Sequence, residues 1–137
     1  MASVDEFLDK GSYVVEKMTQ EDWNKVYSQA YKKLKELLGE GKTVIFDGGS
    51  LRKSERQTLK NIVESMNILS KLIYVNTTKE EIIKRRTENQ VTKERGHLED
   101  VTMQTALDMF EEPKSDENTI LYNNNVNLDI WIKDNIK

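Results

Sequence analysis

The stretch GEGKTVIFDGGS at residues 39–50 contains the last letters of a phosphate-loop motif. Its letters GKT, at residues 41–43, match the end of the phosphate-loop pattern G-x-x-x-x-G-K-[ST], which follows a strand and opens a helix. Here the order is reversed, because a helical pattern runs into GKT and an apolar strand pattern leaves it. The position where the pattern needs its first glycine holds Glu36. The stretch therefore predicts a helix end followed by a strand, and not a phosphate loop.

The composition of the 137-residue chain is that of a globular domain, with 36% hydrophobic and 33% charged residues. No apolar run approaches the length of a membrane span, and the absence of cysteine favours a reducing cytoplasm. The net charge of −3 argues against broad attraction to nucleic acid or anionic lipid. We therefore expect one cytoplasmic domain over residues 1–137, with neither a membrane nor a nucleic acid as partner.

Helical and strand patterns alternate along the chain. Four apolar helical patterns begin at residues that cap helices, namely Thr19, Ser54, Thr78 and Asn127. Three short apolar runs predict strands at residues 43–47, 71–76 and 119–123. This alternation predicts an α/β fold, a three-layer arrangement in which helices cover both faces of a parallel sheet of about three strands.

Asp47 comes directly after the first predicted strand and is followed by Gly48 and Gly49. Ligands of parallel sheets bind at the carboxyl ends of the strands. The carboxylate is therefore a candidate ligand-binding group, with glycines that allow close backbone approach. An Asp-Gly turn explains the same letters, and the residues alone leave both interpretations open.

Five segments, in colinear order, resemble the small P-loop kinases. Residues 44–59, VIFDGGSLRKSERQTL, resemble the family's third strand and a helix with an early arginine. The other segments are SVDEF at 3–7 after the second strand, LIYVNTTKEEIIKRR at 72–86 for the fourth strand and its arginine helix, ERGHLEDVTMQTALDMFEEP at 94–113 for the lid and the next helix, and TILYNNN at 119–125 for the fifth strand. The group includes the phosphorylating domain of phage polynucleotide kinase and the zeta-toxin-like kinases.

The resemblance, which extends from about Ser3 to Ile136, implies ATP- and Mg²⁺-dependent transfer of a phosphoryl group to a hydroxyl of a small molecule or nucleotide. The family's phosphate loop and first strand precede the segment that begins at Ser3, and residues 1–137 do not contain them. In the family that strand lies between the third and fourth. The expectation is thus a truncated P-loop-kinase-type domain that is not catalytic alone. Leu8, where several relatives have arginine, and Gly48-Gly49 are further departures.

The resemblance assigns catalytic roles to three residues. Asp5 would orient or deprotonate the acceptor hydroxyl, and Asp47 would bind the acceptor or the magnesium shell. Arg85 would reach the transferred phosphate, because guanidinium neutralises developing charge. The alternatives are a helix-capping acid for Asp5 and a solvated helix face for Arg85, paired with Glu81.

Five further residues are candidate binding residues by the same resemblance. Arg56, Arg86 and Arg95 would contact acceptor or phosphate, and Asn123 and Asn124 would line the nucleotide base. Arg95 lies in the polar segment 88–100, which is typical of a lid. The alternatives are a helix-surface role for Arg56, a solvated helix face for Arg86, a plain loop residue for Arg95, and an Asn-rich turn for the asparagines.

Neither the histidine nor the aromatic residues predict a binding site. His97 is the only histidine and has no cluster of metal ligands around it in the sequence, so no metal site is predicted. Trp23, Tyr27 and Tyr31 recur at helical spacing, which indicates core residues that cover the sheet.

Three hypotheses follow from the sequence. The chain is the carboxyl-terminal part of a P-loop kinase, or it is a kinase-derived module without catalysis that binds a partner or small ligand. The second hypothesis predicts compensation for the missing strand, either by direct pairing of the third and fourth strands or by strand exchange in a homo-oligomer. A weaker third hypothesis, binding of nucleic-acid ends, is opposed by the acidic balance.

Overall fold

The computed structural model describes residues 1–94, 99–123 and 125–136. The strands and helices of these residues are, in order, β1 Ala2–Ser3, α1 Val4–Lys10, α2 Gln20–Gly39, β2 Phe46–Asp47, α3 Lys53–Ser65, β3 Leu72–Val75, α4 Lys79–Thr92, α5 Asp100–Met109, β4 Thr119–Tyr122 and α6 Leu128–Asn135. From α2 onward this is the predicted order. The short elements β1 and α1 were not predicted from periodicity.

The chain divides into two compact units, Met1–Ile68 and Leu69–Lys137, and each contains one two-stranded parallel sheet. In the first unit β1 pairs with β2, and in the second β3 pairs with β4. The α/β class and the parallel pairing are therefore confirmed. The expected single sheet over 43–47, 71–76 and 119–123 is not found, because the described strands form two pairs. A single domain over residues 1–137 stays a prediction.

The strand in the quoted stretch is shorter than predicted. It covers residues 46–47 instead of 43–47, although the amide of Ala2 still donates to the carbonyl of Ile45 at 2.9 Å. A strand extends only where a neighbour forms the ladder with it, and its partner β1 is two residues long. The apolar run TVIF therefore supplies only its last residue, with Asp47, to the sheet.

The GKT letters lie at the end of a helix, as predicted. α2 ends at Gly39, and Gly41 adopts a φ of 76°, a left-handed conformation that glycine takes without a Cβ clash. The amides of Gly41 and Lys42 donate to the carbonyls of Leu38 and Leu37 at 2.9 and 3.1 Å. These bonds satisfy carbonyl groups at the helix end.

Three of the four predicted caps are confirmed. The Thr19 and Thr78 hydroxyls accept from the amides of Asp22 and Glu81, both at 3.2 Å, and Asn127 caps α6. The prediction of Ser54 was wrong, since α3 begins two residues earlier, after Arg52. The carboxylate of Glu55 accepts the Arg52 amide at 3.0 Å and closes the first turn there, which leaves Ser54 inside the helix.

The first unit has a core between α1, α2 and the β1–β2 pair. Its fully or almost fully buried members are Ala2, Val4, Val26, Ala30 and Leu34. Glu6 of α1 binds both Lys10, at 2.7 Å, and Lys33 of α2, at 2.5 Å. The hydrogen bond with Lys10, followed by the one with Lys33, lowers the pKa of Glu6 to about 2. The ion pair with Lys33 thus links the two helices.

The second unit has fewer buried side chains. Trp131 of α6, 8% exposed, is its only buried hydrophobic residue among those described. Its indole Nε1–H donates to the carbonyl of Leu121 at 2.8 Å, and its ring packs edge-on against Tyr122 with centroids 5.2 Å apart. On another part of this unit Tyr74 contacts Phe110.

The segment 88–100 is only partly a connection. Residues 88–92 continue α4, whose N-terminus is capped by Thr78 and whose end is marked by Lys93 at a φ of 53°. Residues 95–98 lie outside the described part of the chain. Polar residues such as Glu, Asn and Gln are compatible with an exposed helix. The lid over residues 88–100 stays a prediction. In the part of the chain that the structure covers, no helix is both long enough and apolar enough to cross a membrane.

Candidate functional site

Two of the predicted catalytic residues lie at the carboxyl end of the first sheet. Ser3, the last residue of β1, is opposite Asp47, the last residue of β2. The two strands are parallel, and neighbouring strands lie about 4.8 Å apart. The backbone therefore leaves both strands at the same end of the sheet, the carboxyl end. Asp5 follows in the first turn of α1, and Asp5 and Asp47 are both exposed. We call this end, made by Ser3, Asp5 and residues 47–49, the acidic rim.

The two glycines of the rim are required by packing and not by a left-handed turn. Gly41 is the only glycine with positive φ among the described residues, so Gly48 and Gly49 adopt conformations open to other residues. A Cβ on Gly48 would come within 2.8 Å of the Phe46 ring and 3.1 Å of Val4. A Cβ on Gly49 would lie 2.9 Å from the Tyr27 hydroxyl oxygen. Both glycines therefore allow the backbone to approach the core closely.

The loop that leaves the rim is held by hydrogen bonds along its length. The Gly49 amide donates to the Tyr27 hydroxyl at 3.3 Å, and the Arg52 amide donates to Glu55 at 3.0 Å. Between them, the Arg56 guanidinium donates from one nitrogen to the carbonyls of Ser50 and Leu51, at 3.2 and 3.0 Å. Such contacts restrict the backbone conformation directly after Asp47 and pre-organise the rim.

Arg56 is therefore not a helix-surface residue, which was the alternative expected for it. Only 6% of the residue is exposed, and its guanidinium binds loop carbonyls. A buried guanidinium needs such partners, since an unsatisfied charged group in the interior is costly. Its contact with an acceptor stays a prediction.

Tyr27 was correctly expected in the core, but its polar role was not predicted. Its ring lies in a row with Trp23, Tyr31 and Phe46, in which successive centroids are 5.8 to 6.2 Å apart. Burial raises the pKa of the Tyr27 hydroxyl, the bond from Gly49 opposes this, and the charges of Glu55 and Asp5 raise the pKa further. The contact joins residues that are 22 positions apart. The sequence signal was only the ring's place on the apolar face of α2.

The predicted arginines of the second unit lie side by side on α4 in different environments. Arg85 is about half exposed, and its Nε donates to Glu81 at 2.7 Å, one turn earlier. This is the helix-face pairing that was the alternative for Arg85. Arg86 is more buried, with 19% of its side chain exposed, and pairs with Asp100 of α5. The roles of both toward phosphate stay predictions.

Asn123 and Asn125 lie in a turn after β4. The side-chain oxygen of Asn123 accepts the amide of Asn125 at 3.1 Å, and its carbonyl accepts the amide of Val126 at 3.3 Å. This agrees with the Asn-rich turn that was the alternative to base binding. Asn124, like Arg95 and His97, lies outside the described residues.

Within the described ranges, no group of three or more potential protein ligands could hold a metal ion. Magnesium in phosphoryl-transfer sites makes lower demands, because it is held by one or two carboxylates together with water and substrate phosphates. Asp47, exposed at the end of β2, meets that requirement as a single oxygen ligand. The rim thus fits a magnesium ion that arrives with a phosphate, and not a dedicated metal cage.

A comparison with protein-family models matches residues 5–113 to the family described as AAA domain. The match includes the rim residues Asp5 and Asp47 and both arginines of α4. No curated protein and no solved structure gave a significant match. Because the matched range is well over half of the 137 residues, the chain belongs to this AAA domain family, which is P-loop NTPase-like and includes kinase-type families.

Proposed function

We propose that this chain is the acceptor-binding part of a kinase-type P-loop domain, which transfers a phosphoryl group from ATP to a hydroxyl of a small molecule or nucleotide. The observation that carries the proposal is the acidic rim, where Asp5 and Asp47 lie at the carboxyl end of a parallel strand pair. The chain belongs to a P-loop NTPase-like family, which supports the same function. The absence of cysteine and the net charge of −3 support a cytoplasmic location and no nucleic-acid partner.

Each rim carboxylate has a role in this proposal. Asp5 accepts a hydrogen bond from the acceptor hydroxyl and takes its proton as the phosphoryl group is transferred. Asp47 binds the acceptor or the magnesium ion that accompanies ATP. Either Arg85 or Arg86 neutralises charge on the transferred group. The arginine that does so must release its present carboxylate partner, which is Glu81 for Arg85 and Asp100 for Arg86.

Residues 1–137 contain no G-x-x-x-x-G-K-[ST] run, so we expect no productive ATP binding by this chain alone. Such a loop supplies several backbone amides and a lysine to the phosphates. The rim offers carboxylates, which do not replace cations. We expect no detectable heat when magnesium-ATP is titrated into the chain in a calorimeter. Tight binding would show that another phosphate site exists.

The proposed reaction is tested with a chain extended upstream of Met1 by its own reading frame. If that frame encodes a phosphate loop, the extended chain should transfer label from γ-labelled ATP to a hydroxyl acceptor. Asp5→Asn should abolish the transfer, whereas Asp9→Asn, an exposed acid on the same helix, should leave it unchanged. A reading frame without the loop contradicts the proposal and favours a binding module.

A second candidate function, a non-catalytic module that exchanges strands between copies, is supported by the strand edges. In the described residues β2 has only β1 as its neighbour, and β3 has only β4. Ile45 before β2 is 65% exposed, and Ile73 and Val75 of β3 are 41% and 52% exposed. Open edges with exposed apolar residues favour pairing with another chain.

Light scattering after size-exclusion chromatography tests this candidate. Strand exchange predicts a dimer or a larger closed assembly whose population increases with concentration. Ile73→Lys, which places a charge on the edge strand, should shift the assembly to monomer. Leu69→Lys, at a position that is 99% exposed outside the strand, should not. A monomer at all concentrations contradicts strand exchange.

A further inference from the structure

The hydroxyl of Tyr27 has hydrogen-bonding capacity that the folded chain does not use. Its oxygen accepts the Gly49 amide at 3.3 Å, and a phenol can both accept and donate. Within the described part of the chain, no acceptor takes its proton. Tyr31, one turn further along α2, lies in the same row of rings but has no hydrogen bond of its own among these residues.

The position of Tyr27 directs this unused donor to the acidic rim. The bond from Gly49 fixes the hydroxyl oxygen two residues after Asp47. The ring is clamped between Trp23 and Tyr31, with centroids 6.2 and 5.8 Å away. Glu55 and Asp5 lie close enough for their charges to act on the phenol. A rigid donor next to exposed carboxylates is suited to orient a small polar ligand.

The chemistry of the phenol matches that of the carboxylates. Burial, together with the negative charges of Glu55 and Asp5, raises the pKa of Tyr27, so the hydroxyl keeps its proton at neutral pH. The carboxylate oxygens of Asp5 and Asp47 accept hydrogen bonds, whereas Tyr27 has one left to donate. An alcohol group can donate to a carboxylate and accept from a phenol at the same time.

We propose that Tyr27 is a specificity-determining residue of the acidic rim, whose hydroxyl donates to an oxygen of a ligand with neighbouring hydroxyl groups, such as a sugar. Asp5 and Asp47 accept from those hydroxyls. The proposal rests on the proposed function and adds the class of acceptor, a polyol or sugar in place of an isolated alcohol. Tyr27 acts on the ligand directly and, through Gly49, on the position of the rim.

The test is a titration of the isotope-labelled chain with D-ribose, followed by nuclear magnetic resonance. We expect the Gly49 amide and the Tyr27 ring resonances to shift together. Tyr27→Phe, which removes only the hydroxyl, should weaken D-ribose binding by about tenfold, the usual effect of one hydrogen bond. The matched control Tyr31→Phe, in the same row of rings, should change it by less than about twofold.

Other outcomes separate this inference from the proposed function. If Tyr27→Phe binds D-ribose as the unchanged chain does, while Asp5→Asn and Asp47→Asn do not bind it, the role of Tyr27 is wrong and the rim is supported. If the unchanged chain does not respond to D-ribose, the sugar class is wrong, and the transfer assay alone decides the function. If Tyr27→Phe does not fold, the resonance shifts that D-ribose causes in the unchanged chain still test the role of Tyr27. A larger shift of the Tyr27 ring than of the Tyr31 ring supports the inference, and equal shifts contradict it.

Discussion

The two units of the chain differ in how their parallel strand pairs are supported. In Met1–Ile68, helices α1 and α2 pack on β1 and β2 around buried residues such as Val26 and Ala30. In Leu69–Lys137, Trp131 is the one buried hydrophobic residue among those described, and α4 and α5 have none. The first unit therefore holds its rim on a packed core, whereas the second carries Arg85 and Arg86 on α4, a helix with no fully buried residue among those described.

In the proposed function, this difference separates two kinds of residue. Asp47 and Tyr27 would have to be held in place, and such groups need neighbours that fix them. Arg85 would have to reach a phosphate and change partners, and an exposed i,i+4 ion pair costs little to break. The packing of each unit suits the role proposed for its residues.

The largest expected effect tests whether the second unit depends on one side chain. Trp131→Ala should destabilise that unit by about 3 kcal/mol or more, the usual cost of deleting a buried aromatic ring. Hydrogen exchange at the Leu72 and Asn76 amides, which donate to Asn118 and Tyr122, should become much faster. Leu69→Ala, at a 99% exposed position, is the control and should leave exchange unchanged. Unchanged exchange in Trp131→Ala would break the comparison.

A valine pair measures the difference in packing directly. Val26 of α2 is 0% exposed, and Val91 of α4 is 83% exposed. Val26→Ala should cost about 2 kcal/mol in the free energy of unfolding, from lost burial and the cavity left behind. Val91→Ala should stay within about 0.5 kcal/mol of the unchanged chain. Urea denaturation gives both values, and equal costs would contradict the contrast between the two helices.

The two threonine caps sharpen the comparison at the level of single helices. Thr19 and Thr78 each accept an amide at 3.2 Å, but only Thr19 is answered by a carboxylate, since Asp22 accepts the Thr19 amide at 2.9 Å. Thr19→Ala and Thr78→Ala should each cost about 1 kcal/mol, with the larger loss at Thr19. Hydrogen exchange at the Asp22 and Glu81 amides measures each loss. A larger loss at Thr78 would contradict this order.

The smallest expected effect is on the stability of the first unit at acidic pH. Lys10, followed by Lys33, lowers the pKa of Glu6 from 4.5 to about 2. A lowered folded-state pKa stabilises above pH 4.5, and this contribution is lost as the pH falls towards 2. Urea midpoints measured across that range should therefore depend less on pH in Glu6→Gln than in the unchanged chain. Lys33→Met should reproduce part of the change, and identical slopes in all three chains would contradict it.

Local features of the fold were predictable because they depend on neighbouring residues. The caps at Thr19, Thr78 and Asn127 each involve residues within three positions, and Asp47 at a strand end follows from alternation alone. The start of α3 was wrong because Glu55 supplies a side-chain acceptor in its first turn, which competes with the serine signal at Ser54.

Contacts made outside the regular helices and strands were not predictable. The glycines of the rim were assigned to a turn or a ligand, but a Cβ on them would also meet Val4 and Tyr27, which are distant in the sequence. The helix-surface alternative for Arg56 was wrong because nothing in the sequence indicates that its guanidinium binds two loop carbonyls. Such contacts depend on how the backbone folds back, and apolar spacing carries no information on them.

The row of rings in the first unit has an optical consequence. The chain has two tryptophans, one in each unit. Trp23 is 6.2 Å from Tyr27, which is itself 5.8 Å from Tyr31, so light absorbed by these tyrosines passes to Trp23 and little tyrosine emission survives. Trp131 instead reports through its indole bond to Leu121. In Trp131→Phe the tryptophan emission would report on the first unit alone, and in Trp23→Phe on the second unit alone. Unfolding of each unit could then be followed without an added dye.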